Sequence, residues 1–350
     1  MTIKASDAKI CLIYTGGTIG MDRLDGVLHP PEDPKDLLKV APELNVYRYD
    51  FVSLMNKDST NITPEDWSTI AQAIYDRRND GYTGFVVAHG TDTMHFSASA
   101  VALALGKNLN FPVVFTGAQT APDIHHGDAH VNLLRAFKVA CEDIAEVVIC
   151  FGEYVFRGCR AQKKDERRFD AFESPAYFTL AYITEEILLS EFSKRQEKKP
   201  KKIKDIVLRN EFASGIFQVS LIPGLEPALL EPLIDNDNCS GIVLQSFGAG
   251  NVPNVEGYSW EGFIRKATDR GKPVLIASQF PANATMHTAY EPGLAAIEAG
   301  AIPTGNMTSA CATAKFRWVL AQTDTITGKK KKLKAIKRMM NTDYVGEFDK

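Results

Sequence analysis

Short apolar runs that break on a glycine or a polar turn recur along the chain, at residues 10–14, 85–88, 113–115, 147–151, 216–221, 242–244 and 274–277. Each is too short for a buried helix, so each reads as a strand. Between them lie segments of helical period. In TPEDWSTIAQAIYDRR, Thr63 is placed to cap, Pro64 suits the first helical position, and Trp67, Ile70, Ala71 and Ile74 fall on one face. Strand alternating with helix in this way predicts an α/β fold, an open and mostly parallel sheet with helices on both faces.

At 350 residues the chain exceeds what one core usually serves. Two α/β domains are therefore expected, a larger N-terminal one over 1–192 and a smaller C-terminal one over 213–350. Residues 193–212 separate them and begin in the lysine-rich stretch EFSKRQEKKPKKIKDI, which reads as a solvated linker and not as a nucleic-acid tether. A second basic run, GKKKKLKAIKRMM, carries Leu333, Ile336, Met339 and Met340 at helical spacing and predicts a terminal amphipathic helix.

Composition removes several classes. Apolar residues at 45% and charged residues at 24% are ordinary for a globular protein. A net charge of -3 supplies no global basic field for nucleic acid. The first apolar run is too short for a signal-peptide core, and none reaches membrane-spanning length, so a cytoplasmic chain is expected. The six cysteines form no CxxC pair, and several lie in apolar segments, which suits reduced thiols.

Four polar stretches carry chemistry. In YTGGTIG, Thr15 stands where a strand gives way to a Gly-Gly turn, and neither the GxGxxG nor the GxxxxGK[ST] register is met. A hydroxyl at the carboxyl end of a strand, where open α/β sheets hold ligands, is a candidate nucleophile. In GFVVAHGTDTM, Thr91 and Asp92 end another strand in the same way. KDSTNITPEDW places Asp58, Ser59 and Thr60 before a helix, where backbone N–H groups suit a carboxylate. RGCRAQKKDERRFDAFESP offers Lys163 and Lys164, either of which can serve a weak hydroxyl nucleophile as proton relay. Each stretch also has a plain structural account: Thr15 and Asp92 as helix caps, Thr91 as a turn former, 57–67 as helix entry, and the lysines as solvated.

In order from about residue 10 to 322, TGGTIGM, DSTN before TPEDW, HGTDTM, FTGAQ, NLLRA, RGCRAQK before FDAFESP, and SFGAGNVP together resemble the bacterial cytoplasmic (type I) L-asparaginases of the asparaginase/glutaminase superfamily. The resemblance implies that Thr15 attacks the side-chain amide carbon of L-asparagine, forming a β-aspartyl ester and releasing ammonia, and that water then frees aspartate. Thr91, Lys163 and Asp92 match the second hydroxyl–lysine–carboxylate set, a triad logic with lysine in the place of histidine. Asp92 is also implied to pair with the substrate ammonium. Asp58, Ser59 and Thr60 match the segment that binds the α-carboxylate, and Ala118 in FTGAQ matches a further substrate-binding position. A backbone N–H such as that of Thr91 is expected to hold the oxyanion.

The same resemblance implies a homo-oligomer, a dimer or a tetramer of two dimers, in which Asn251 of SFGAGNVP completes a neighbouring site. No cofactor, metal, nucleic acid or membrane is implied. Three departures stand out. A tyrosine of the mobile loop is replaced at Val27, and Tyr290 in TAYEPG is the expected substitute. Gln162 and the cysteine-free SQFPAN lack the pair that carries allosteric asparagine in some members, so hyperbolic kinetics are expected. His125, His126, Asp128 and His130 cluster in PDIHHGDAH and have metal-ligand chemistry, although Asp128 and Asn132 match a family pattern without metal.

Other functions remain open at this point. They are a glutaminase-leaning amidohydrolase, the amidase subunit of a tRNA-dependent amidotransferase, and a catalytically silent amino-acid-binding sensor. The amidotransferase subunit is expected to carry a further N-terminal domain, for which Thr15 leaves no room.

Overall fold

The computed structural model describes residues 3–25, 27–29, 31–124, 126–280 and 291–349. The chain forms two compact units, Met1–Asn210 and Glu211–Lys350. In the first, strand β1 (Lys9–Gly16) is followed by the hairpin β2 (Asp22–Leu24) and β3 (Val27–His29), the short helix α1 (Leu37–Val40), β4 (Arg48–Lys57) and α2 (Pro64–Arg77). Then come β5 (Gly84–Ala88), α3 (Met94–Leu105), β6 (Val113–Thr116), α4 (Ala129–Val139), β7 (Val147–Phe151) and β8 (Tyr154–Arg157). The unit closes with β9 (Gln162–Lys163), β10 (Phe172–Glu173), β11 (Ala181–Ile183) and β12 (Ile187–Leu189).

Eight of these strands form one sheet in the order β12-β11-β8-β7-β6-β5-β1-β4. From β4 to β7 all neighbours run parallel, while β8, β11 and β12 extend the far side antiparallel. Ile10, Leu12, Tyr14, Val86, Ala88, Val114 and Val148 share a core with Leu133, Ala136 and Phe137 of α4. On the opposite face α2 packs beside α3. Gly158 lies there between Ala98 of α3 and Val147 of β7, where a Cβ would meet Ala98 at 3.1 Å. Helices thus cover both faces, and the central strands are buried throughout, so each reads as an unbroken apolar run.

The order places the site. From β1 the chain moves to one side to form β4, then crosses back to form β5 on the other side of β1. The carboxyl ends of β1 and β5 therefore flank a topological switch point, where open sheets leave a crevice.

The second unit carries a four-stranded parallel sheet, β13 (Ile216–Ser220), β14 (Gly241–Ser246), β15 (Val274–Ser278) and β16 (Ile302–Pro303), in sequential order. Its helices are α5 (Pro232–Asp235), α6 (Glu261–Arg270), α7 (Glu291–Glu298), α8 (Ser309–Gln322) and α9 (Lys329–Met340). Trp260, Phe263, Ile264 and Ala267 bury against Ile242, Leu244, Val274 and Ile276. The amphipathic α9 is the helix expected from the second basic run, with Ile336 and Met340 buried. Among the described residues no helix is long and apolar enough to cross a membrane.

Within the expected linker 193–212, residues 194–210 are not the free solvated stretch that their lysines suggested. They run along the first unit: Lys194 Nζ donates to Lys107 and Leu109 carbonyls at 2.7 and 3.0 Å, Asn110 Oδ1 accepts from Glu197 N–H, and Arg78 pairs with Asp205 at 3.0 Å. Asn210 ends the stretch on the Ser68 carbonyl at 3.2 Å. The lysine stems and backbone follow the surface while the charges stay wet. The boundary between the units falls at its far end.

Candidate active site

Thr15 is the penultimate residue of β1 and is 1% exposed. Its hydroxyl donates to the Ala88 carbonyl of β5 at 2.9 Å, so its lone pairs are unspent by that bond. Behind it the chain turns through Gly16 (φ 107°) and Gly17 (φ 90°), conformations that L side chains rarely adopt. A Cβ on Gly16 would collide with the Lys57 backbone, and one on Gly17 with Gly90. The two glycines exist because the ends of β4 and β5 close on this turn.

After β5 the segment His89–Gly90–Thr91–Asp92 crosses the same end of the sheet. His89 is fully buried and bridges two partners, Nδ1–H donating to the Gly90 carbonyl at 2.7 Å and Nε2 accepting from Ser97 Oγ at 2.9 Å. Burial pushes its pKa down to about 4, which keeps the ring neutral. His95 is also pushed to about 4, by burial first and the charge of Lys163 second.

Lys163 in β9 is the centre of the polar cluster. Its ammonium donates to Thr91 Oγ1 at 2.8 Å and to Asp92 Oδ1 at 2.6 Å. The lysine side chain is 13% exposed and that of Asp92 56%, so the carboxylate opens toward solvent while the lysine lies beneath. Lys164 turns to Asp170 at 2.9 Å, as strand alternation requires. Of the two lysines the sequence offered, Lys163 alone makes these contacts.

Ser59 is 3% exposed and packs on Gly90, where a Cβ would lie 2.6 Å from its Oγ; its carbonyl accepts from Thr93 Oγ1 at 2.8 Å. Asp58 and Thr60 are spent on each other, the Asp58 carboxylate accepting from Thr60 N–H and Oγ1–H at 2.8 Å each. Both are exposed, whereas Ser59 is turned inward.

The loop after β6 brings a residue that motif reading passed over. Ala118 is buried, and Gln119 beside it accepts from Thr91 Oγ1–H at 3.1 Å. Its own amide N–H groups donate to the Asp165 and Arg168 carbonyls at 3.1 and 3.3 Å. The FTGAQ turn, a third polar break after an apolar run, was the available signal for it.

Asp128, part of the histidine cluster in sequence, is occupied elsewhere. It accepts from the backbone N–H of Gln119 and of Thr120, from Thr120 Oγ1 and from Asn132 Nδ2, all at 2.9–3.1 Å. His130 faces Glu43 at 3.1 Å. His125 lies outside the described residues. Among the described residues no group of three His, Cys, Asp or Glu side chains is placed to hold a metal ion.

In the second unit, Asn251 closes a tight turn after β14, its N–H donating to the Phe247 carbonyl at 2.9 Å and its carbonyl accepting from Phe247 N–H at 3.0 Å. Gly248 and Gly250 supply the positive φ of that turn. Tyr290, the expected stand-in for the loop tyrosine, and residues 281–283 of SQFPAN lie outside the described residues. Val27 is exposed in the β2–β3 hairpin.

Comparison with known proteins gives the family and the fold. Residues 9–194 match the family model for the N-terminal domain of asparaginase, and residues 216–333 match that for the glutaminase/asparaginase C-terminal domain. The chain is 32% identical to a subunit of the glutamyl-tRNA(Gln) amidotransferase of Methanosphaera stadtmanae, over 99% of this chain and 78% of that protein. It is 31% identical to an L-asparaginase of Dirofilaria immitis, over 91% of this chain and 58% of that protein. Its fold superposes on the thermostable L-asparaginase from Thermococcus kodakarensis with a TM-score of 0.84 at 29% identity, covering 98% of this chain and 99% of that one. L-asparaginase I from Vibrio cholerae gives a TM-score of 0.85 at 29% identity with the same coverage. With both domain models matched in order and the threonine turns seated at one sheet edge, the chain belongs to the asparaginase family of amidohydrolases.

Proposed function

We propose that the protein is an L-asparagine amidohydrolase of the cytoplasmic, type I kind that works through a threonyl ester. The observation that carries the reading is that the ends of the neighbouring strands β1 and β5 hold a buried hydroxyl, Thr15, and a Thr91–Asp92 turn bridged by a lysine. Thr15 Oγ bonds to the side-chain amide carbon, the C–N bond breaks, and ammonia leaves with the proton that the threonine gave up. Water then adds its hydroxyl to the acyl carbon and returns a proton to Thr15. Thr91, its oxygen held by Lys163, accepts a hydrogen bond from the proton as it moves to and from Thr15.

Asp92, the most exposed member of the cluster, takes the substrate ammonium, and the inward Ser59 takes the α-carboxylate. Asp58 and Thr60 shape that turn from outside, since their side chains bond to each other. Ala118, buried between Gly117 and Gln119, is assigned to substrate binding on the resemblance. A homo-oligomer in which Asn251, and Tyr290 in the role of the missing loop tyrosine, complete the site of another protomer extends the reading. The six free, buried cysteines suit a reducing compartment.

A second reading has a specific observation behind it. Several curated relatives are subunits of a glutamyl-tRNA(Gln) amidotransferase, which favours glutamine as the alternative amide for the same threonine chemistry. One methylene is worth only about 1–3 kcal/mol of discrimination, so turnover decides between the two amides. The test is ammonia release from L-asparagine and L-glutamine by the purified protein and by Thr15→Ala. Preference for asparagine, lost at least a thousandfold in the variant, is expected. Preference for glutamine supports the second reading, and no release from either amide sinks both.

A further inference from the structure

The amide of Gln119 is held from three sides. Its NH₂ faces the backbone carbonyls of Asp165 and Arg168, which can only accept, so the orientation of the group is determined. Oε1 must therefore be the atom facing Thr91, and the Thr91 hydroxyl must donate to it at 3.1 Å. Lys163, an ammonium with donors only, claims a lone pair of the same hydroxyl oxygen at 2.8 Å. One lone pair of Thr91 remains, and its direction is set by the other two bonds.

The backbone of Gln119 is fixed as well. The Asp128 carboxylate accepts its N–H and that of Thr120, and Asn132 ties Asp128 to the Gly117 carbonyl at 3.0 Å. Charge-assisted bonds of this kind are roughly twice as strong as neutral ones. The side chain thus reaches from an anchored loop to a hydroxyl of the site on one end and to the 165–168 segment on the other.

We infer that Gln119 is a positioning residue of this active site: it aims the free lone pair of Thr91 at the reacting group and tethers the 165–168 segment beside it. The inference rests on the amidohydrolase reading above. A hydroxyl free to rotate presents its lone pair in the productive direction only part of the time, so loss of the acceptor costs rate more than it costs substrate binding.

Two variants separate the roles. Gln119→Met keeps the volume and loses both the acceptor and the donors. Gln119→Glu keeps an acceptor for Thr91 and loses the donors to the two carbonyls. Both are measured for kcat and KM in ammonia release from L-asparagine, and for amide hydrogen exchange across 164–170.

For Gln119→Met the expected result is a kcat lower by about tenfold, with KM within about threefold of wild type and exchange in 164–170 faster by about tenfold. For Gln119→Glu it is a kcat recovered to within about threefold of wild type, with exchange still fast. A methionine variant with wild-type kcat, or a glutamate variant no faster than the methionine one, overturns the inference. Should the methionine variant fail to fold, the glutamate variant decides alone: fast exchange with retained kcat supports the assignment, and wild-type exchange overturns it. If the wild-type protein releases no ammonia from either amide, the amidohydrolase reading has failed, and unchanged exchange in Gln119→Met would separately sink the tether.

Discussion

Single residues decide whether the site can exist. Gly90 has no side chain because Ser59 occupies the space, with Cβ and Oγ each 2.6 Å from where a Cβ would stand. Gly90 is not among the glycines at positive φ, so a substitution there acts through crowding alone. Gly90→Ala is expected to displace Ser59 and raise KM for the amide substrate by about tenfold, with a smaller fall in kcat; steady-state kinetics on a variant with unchanged melting temperature checks this, and an unchanged KM removes Ser59 from substrate binding. Thr15, Thr91 and Asp92 stood out in the sequence because each lies in the polar turn that follows a visible apolar run. Gln119 did not, since its role depends on the carbonyls of Asp165 and Arg168, far along the chain.

Elements carry these residues into register. Asp66, in the first turn of α2, accepts from the Thr63 N–H at 2.8 Å and pairs with Lys57 at the end of β4 at 2.8 Å. Burial alone would raise its pKa, but Lys57 and the Thr63 N–H outweigh that and hold it below the usual carboxylate range. One carboxylate thereby closes the loop that presents Ser59. Asp66→Ala is expected to cost about 1–2 kcal/mol, discounted for the partly exposed lysine, and to lower the melting temperature by a few degrees; calorimetry showing no change would remove the cap from the account. The start of α2 was readable from Thr63 and Pro64. Strand β4 was not, because its mixed burial at a sheet edge breaks the apolar run that marks the interior strands. The antiparallel β8, β11 and β12 were not readable either, because strands of three or four residues carry too little pattern and take their place from pairing partners.

At the scale of the whole molecule, two buried histidines contribute to the response to acid. His89 and His95 have folded pKa values near 4 against 6.5 when unfolded. The unfolded chain takes up protons first as pH falls, so this contribution is complete above about pH 6.5 and is lost progressively toward pH 4. It is on the order of 3 kcal/mol per histidine. Glu347, which burial pushes up, acts with the opposite sign in part of this window. Comparison of His89→Gln with wild type cancels that term: urea unfolding between pH 7 and 4.5 should show a shallower loss in the variant, and parallel curves would mean that His89 is not held neutral by the fold. By itself the sequence determined the alternation of strand and helix, the division into two units and the hydroxyl-bearing turns, because backbone propensity, burial pattern and glycine geometry are local properties. The resemblance had already pointed to Lys163, while residue type alone left Lys164 equal to it; only the tertiary structure decided that Asp128 serves the Gln119 loop and that the lysine-rich stretch lies along the first unit. Those outcomes depend on hydrogen bonds and ion pairs between residues tens of positions apart, whose meeting is set by the order of strands in the sheet.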